Sequence, residues 1–254
     1  FLRSEWSTTI RNAHQLQLMA MDLGASYTLA GDIDLSDVFG PSGMWSSRGF
    51  VPIGNGTSAF TGTFDGAGHV IRGLFIDRGS QDYVGLFGWV GGSGSVADLG
   101  LESVQIKGRN VVAGLAGRNS GEIARSYVAG QVVGTGSVGG GAGVNAGRVS
   151  QSYSTARVTG TDSVGGLVGS NWGIVSWSYS TGQVHGTSAV GGLIGYVDSS
   201  GSVTVSYWDR ETSGQDTGVG EGSDSGVAEA DTAQMMQTGT FVGLGWDFSP
   251  TGPW

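Results

Sequence analysis

The sequence predicts an all-β chain wound as a right-handed parallel β-helix, a β-solenoid whose coils are about 26 residues long and whose ends carry short capping helices. Three observations predict it. The chain holds 50 glycines but only 4 prolines in 254 residues. Those glycines stand inside segments rich in Val, Leu, Ile and Tyr, which fits turns between short strands and neither collagen nor a flexible linker. A six-residue block then recurs in a constant frame. Val112-Ala113-Gly114-Leu115-Ala116-Gly117 returns as Val138-Gly139-Gly140-Gly141-Ala142-Gly143, Val164-Gly165-Gly166-Leu167-Val168-Gly169 and Val190-Gly191-Gly192-Leu193-Ile194-Gly195, each 26 residues after the last.

The same frame carries Asn119, Asn145 and Asn171, then Ser126-Tyr127, Ser152-Tyr153 and Ser178-Tyr179, then Val132, Val158 and Val184. One such unit cannot bury its own apolar residues, so neighbouring coils must do it for each other. Tyr127, Tyr153 and Tyr179 are therefore expected to stack as one buried column, and Asn119, Asn145 and Asn171 as another. Roughly seven coils at about 4.8 Å each give a rod about 35 Å long. Within a coil the apolar runs Leu167-Val168, Ile174-Val175 and Gln183-Val184 predict three short strands. Glycine between them is expected to supply positive φ at the corners. Gly141, where the other units carry leucine, predicts a thinly packed layer.

The whole of 1–254 reads as one solenoid domain, with an N-terminal cap and first coil over 1–50, repeat coils over 51–205 and a C-terminal cap over 206–254. Leu16, Met19 and Leu23 have helical spacing and predict a short helix within 12–22. Asp231 stands as N-cap of a second helix running to Gln237, with Trp246 and Trp254 as aromatic bulk nearby.

A formal net charge of −9 with a single lysine, Lys107, leaves no basic stripe for nucleic acid or an anionic membrane surface. No apolar run approaches the roughly 20 residues of a membrane-spanning helix, and the absence of cysteine excludes disulfides and thiolate metal sites. Starting at Phe1, the chain is expected to be a processed product or a piece of a longer parent with other domains.

The Val-Gly-Gly-Leu-Val-Gly blocks, followed by Asn-X-Gly and by Ser-Tyr-Ser-Thr, resemble the GLUG-motif repeats of bacterial surface proteins. Such repeats occur in filamentous-haemagglutinin-like adhesins and as accessory regions of some secreted peptidases. The stretches Ala30-Gly31-Asp32-Ile33-Asp34-Leu35-Ser36 and Phe60-Thr61-Gly62-Thr63-Phe64-Asp65-Gly66 look like the usual lead-in, and Ser206-Tyr207-Trp208-Asp209 like the usual end. The resemblance implies a secreted or cell-surface bacterial protein with a structural or adhesive role. It implies an extracellular glycan or a host or cell-surface component as partner, and it transfers no catalytic residue.

Four kinds of candidate site are visible. Gly134-Thr135-Gly136-Ser137-Val138-Gly139 satisfies G-x-G-x-x-G, but the aligned segments beginning at Gly160 and Gly186 make it a corner of the coil. Asp32, Asp34 and Asp37 could hold Ca²⁺ through oxygen ligands, as could Asp209, Glu211 and Asp216, although neither group has the EF-hand order. No cofactor is otherwise implied. Trp172, Trp177 and Trp208, with Trp89, offer aromatic surfaces on which sugar rings stack. Acidic residues with Arg109, Arg118, Arg125, Arg148 or Arg157 would suit a polysaccharide lyase or hydrolase, which is the rival to the non-catalytic reading. A passive spacer is the third. His14, His69 and His185 form no metallopeptidase motif.

Overall fold

The computed structural model describes residues 2–39, 45, 47–243 and 246–247. It is a parallel β-solenoid in which four sheets run along the rod. The coil from residue 136 shows the plan. Gly136–Gly139 lies in sheet 1, Ala142–Asn145 in sheet 2, Arg148–Ser150 in sheet 3, and Tyr153–Ser154 with Arg157–Thr159 in sheet 4. Register between coils follows the sequence period: Val112 pairs with Val138 and Val138 with Val164, Asn119 with Asn145 and Asn145 with Asn171. Sheet 3 is eight strands deep, which at about 4.8 Å per step makes a rod about 34 Å long.

Each such coil crosses four sheets, with five short strands rather than the expected three. The glycine block is split between two sheets: Asp162–Gly165 belongs to sheet 1 and Val168–Asn171 to sheet 2, while Leu167 turns into the core at the corner between them. The close fold-back explains the glycine. A Cβ at Gly165 would land on the Val168 carbonyl oxygen, and one at Gly143 would stand 2.6 Å from the Val112 amide nitrogen across the sheet 1–sheet 2 contact. Positive φ in the repeat falls mostly elsewhere, on Val111, Ser137, Ser163 and Ala189 in one column and on Arg125, Gln151, Trp177 and Val205 in another, with Gly130 as a glycine that does supply it. The block glycines thus serve close backbone approach, not left-handed corners. At Gly141 the Leu167 side chain of the next coil fills the layer, its Cδ1 3.0 Å from where a Cβ would be.

One hydrophobic core runs from Ile10 to Val219 through the inside of the coils. Two polar ladders share that interior. The Asn119 carboxamide donates to Asn145 Oδ1 at 2.9 Å and Asn145 to Asn171 Oδ1 at 2.8 Å, all three residues being fully buried. The backbone N–H groups of Ser126, Ser152 and Ser178 donate to the serine hydroxyl one coil on, at 3.2 to 3.3 Å. The tyrosines next to these serines do stack, with ring centroids 4.9 and 4.7 Å apart and interplanar angles of 5° and 2°. They lie on the outside of sheet 4 and are half-buried, so the interior member of each Ser-Tyr pair is the serine.

Both caps form. Helix Ala13–Leu18 begins at Asn12, whose side chain accepts from the Gln15 N–H at 3.0 Å, and its Leu16 closes the core. Winding does not stop at 205: Ser206–Asp209 and Val227–Ala230 continue sheet 4. The chain then folds back through Thr232–Met235, with Asp231 and Gln234 forming a capping box, and Thr238–Val242. Trp254 lies outside the described residues. No helix among the described residues is long and apolar enough to cross a membrane.

Candidate ligand-binding face

The outer face of sheet 4 carries a charged network towards one end and a cleft towards the other. Alternation along each strand decides this: Leu101, Val128, Ser154 and Ser180 point inward in one column, and their neighbours point out.

At the N-terminal end of the face stands a charged network. Arg72 donates to Asp32 and to Glu102, both at 2.9 Å, the Tyr127 hydroxyl donates to the other Glu102 oxygen at 2.7 Å, and His69 lies 3.3 Å from Asp32. The Arg72 guanidinium holds the Asp32 carboxyl below the usual carboxylate range. The Tyr127 hydroxyl, then Arg72, do the same for Glu102. Burial, reinforced by Glu102, raises the Tyr127 phenol. Both carboxylates are thus held in their ionised form by partners within the network.

The tyrosine stack continues the face, and Tyr179 meets Phe241 and Trp246 of the C-terminal cap at 6.1 and 6.2 Å. Beside that junction is a cleft of about 480 Å³. Tyr179, Phe241, Trp246, Met235 and Met236 supply apolar lining, and Thr155, Thr181, Thr212, Thr238 and Gln237 supply polar lining. Among the described residues Asp209 is the one charged group lining it. That carboxylate is buried and accepts from the Glu211 and Thr212 N–H groups at 3.0 and 3.1 Å and from the Thr232 hydroxyl at 2.8 Å.

The predicted tryptophans do not converge. Trp208 is buried in the core column after Ser180, at 6% exposure, and presents no face to a sugar. Trp177 is half-buried, 6.3 Å from Trp246, while Trp172 is 48% exposed and does not line the cleft. The acidic triplet does not converge either. Asp32 is turned to Arg72, Asp34 accepts from the Ser36 N–H at 2.8 Å, and Asp37 stands exposed. Asp34 is held low by the Ser36 contact. Among the described residues no three His, Asp or Glu side chains are grouped as metal ligands. Asp209 is the N-cap of helix Arg210–Ser213, which explains its carboxylate without a metal.

Three of the five arginines named for the enzymatic reading instead brace neighbouring coils. Arg109 chelates Asp82 at 2.8 and 2.6 Å, Arg125 chelates Asp98 at 2.7 Å twice, and Arg118 lies 5.4 Å over the Trp89 ring. The histidines remain apart, His14 against Glu5 and His69 against Asp32. Sequence reasoning passed over Thr155 and Thr181, although their recurrence after Tyr153-Ser154 and Tyr179-Ser180 put them in register. No sequence signal placed Phe241 and Met235 over them.

No protein-family model matches the chain. The fold is shared with a candidate immunoglobulin A1 protease of known crystal structure from Bacteroides ovatus. The TM-score is 0.65 at 25% identity, covering 82% of this chain and 68% of that one. Two sequence relatives share part of it. Halomucin of Haloquadratum walsbyi is 40% identical over 111 residues, which is 42% of this chain and 1% of halomucin. A candidate Gly-rich membrane protein of Evansella cellulosilytica is 37% identical over 103 residues, 39% of this chain and 12% of the relative. The chain therefore matches only a small fraction of either relative's length. The fold defines a β-solenoid repeat module, part of which recurs within these two much longer relatives.

Proposed function

We propose that the chain is a structural and adhesive module of an exported surface protein, and that it holds glycan on the outer face of sheet 4. The cleft beside Tyr179 carries this reading, since it joins aromatic lining to a ring of hydroxyl groups on a rigid sheet. The likeness of the repeat to GLUG-motif regions of adhesins supports the same reading, as does its occurrence within much longer relatives.

The test is size-exclusion chromatography of the purified chain mixed with neutral and acidic polysaccharides, with and without Ca²⁺. Co-elution of protein with polymer of unchanged length is the expected result. Shortening of the polymer would replace the adhesive reading with an enzymatic one, and separate elution in every mixture would leave a spacer.

A further inference from the structure

We infer that the cleft selects uncharged pyranose chains, an assignment that rests on the glycan-binding reading and narrows it. Three independent features point that way. The first is the state of Asp209. Its oxygens are taken by two backbone N–H groups and the Thr232 hydroxyl, and its residue is only 1% exposed, so it offers little to a cationic amino sugar. Bringing a cation there would strip its water against Met235, Phe241 and Trp246 without a free counter-charge.

The second feature is the hydroxyl set. Thr155, Thr181, Thr212 and Thr238 make no side-chain hydrogen bond within the described protein, whereas Thr232 and Thr240 do. Neutral donor–acceptor groups around an apolar floor match a ring that has C–H faces and a hydroxyl rim. A volume of about 480 Å³ sits within the usual range for small-molecule sites, about 300–1,000 Å³.

The third is the field around the cleft. Residues 1–157 contain eleven Asp and Glu against eleven Lys and Arg, while 158–254 contain ten Asp and Glu against Arg210 alone. The whole net charge of −9 therefore belongs to the segment that builds most of the cleft, and it repels uronate and sulfated polymers. The same field draws cations towards this segment, but in the cleft itself they meet an Asp209 carboxylate whose oxygens are already engaged, so neutral chains alone meet neither repulsion nor uncompensated desolvation.

The experiment is isothermal titration calorimetry of the full chain with mannohexaose and cellohexaose as neutral probes, oligogalacturonate as the anionic probe and fully deacetylated chitohexaose as the cationic one. Thr155→Val/Thr181→Val removes two rim hydroxyls at nearly constant shape, and Trp172→Ala serves as a remote control, with melting curves run on both. Binding of a neutral probe, weakened about tenfold or more by the double valine variant and unchanged by the control, is expected. Neutral binding that the double variant leaves intact would overturn the cleft assignment. Binding of only the anionic or cationic probe would overturn the charge selection while leaving glycan binding standing. Silence with all four, together with no co-elution of any polymer, would overturn both.

Discussion

Asn145 and Tyr153 sit eight residues apart in one coil and are held in opposite ways. Asn145 is fully buried; besides its bonds to Asn119 and Asn171 it donates to the Ile174 carbonyl at 3.1 Å and accepts from the Gly147 N–H at 3.3 Å. Asn145→Ala leaves several of those groups unpaired in the interior, and a loss of about 2–4 kcal/mol in urea unfolding is expected. Tyr153 touches its two ring neighbours from the outer face, each such contact being worth about 0.5–1.5 kcal/mol. A carboxylate at that position reaches solvent, so Tyr153→Asp should weaken the fold yet keep a cooperative transition. Loss of the transition in that variant would contradict the outward placement of the ring. The phenols give a second residue-level prediction. Burial raises the Tyr27, Tyr127, Tyr153, Tyr179, Tyr196 and Tyr207 hydroxyls above their ordinary range near about 10. The folded chain then keeps these protons longer than the unfolded one, so their contribution is intact below about pH 10 and drains away as pH climbs above it. Tyrosinate absorbance at 295 nm should rise together with loss of the β circular-dichroism signal. Full ionisation near pH 10 with the signal unchanged would show the stack to be open.

At the scale of the element, the glycine block is the feature most exposed to a test. Gly165→Ala places a methyl on the Val168 carbonyl oxygen, where backbone and not a flexible side chain must give way, and a cost of about 3 kcal/mol or more is expected. Gly239, inside helix Thr238–Val242, has nothing within 4 Å of its missing Cβ, so Gly239→Ala should stabilise by about 1 kcal/mol through helix propensity. Equal melting temperatures for the two variants would remove close approach as the reason for the block. These elements also mark how far the sequence could be read. The 26-residue columns were legible because parallel stacking places like on like, and the paired registers of Val112, Asn119 and Tyr127 follow the frame. The strand count was not legible, because Leu167-Val168 reads as one apolar run although a corner divides it. Which member of each Ser-Tyr pair faces inward was equally hidden, since composition favours burying the larger ring and only the corner geometry selects serine. The cleft was half legible: Thr155 and Thr181 repeat in register, but the cap residues Phe241 and Trp246 belong to no repeat, so only tertiary folding brings them there.

Over the whole molecule the division of charge sets how the rod responds to its medium. The N-terminal coils hold three of their arginines in pairs with acids of neighbouring coils, Arg72 with Asp32 and Glu102, Arg109 with Asp82, Arg125 with Asp98. The last coil instead exposes Asp216, Glu221, Asp224 and Glu229, charged groups of the kind that discourage edge pairing with another chain. Salt acts on the two ends in opposite directions. Exposed pairs are worth about 0–1 kcal/mol each and weaken when screened, whereas repulsion among ten acids with one base is relieved once the Debye length falls from about 30 Å at 0.01 M to about 8 Å at 0.15 M. The repulsion involves every pairing of like charges in the last coils, so its relief should outweigh the loss from a handful of ion pairs, and Tm should rise over that interval. Hydrogen exchange locates the effect: amides of sheet 4 at Tyr179–Ser180, Ser206–Asp209 and Val227–Ala230 should gain protection with salt, while those at Val70–Arg72 and Gly100–Lys107 stay level or lose some. A falling Tm, with the loss concentrated in the N-terminal coils, would mean that the inter-coil arginine clamps dominate the stability of the rod.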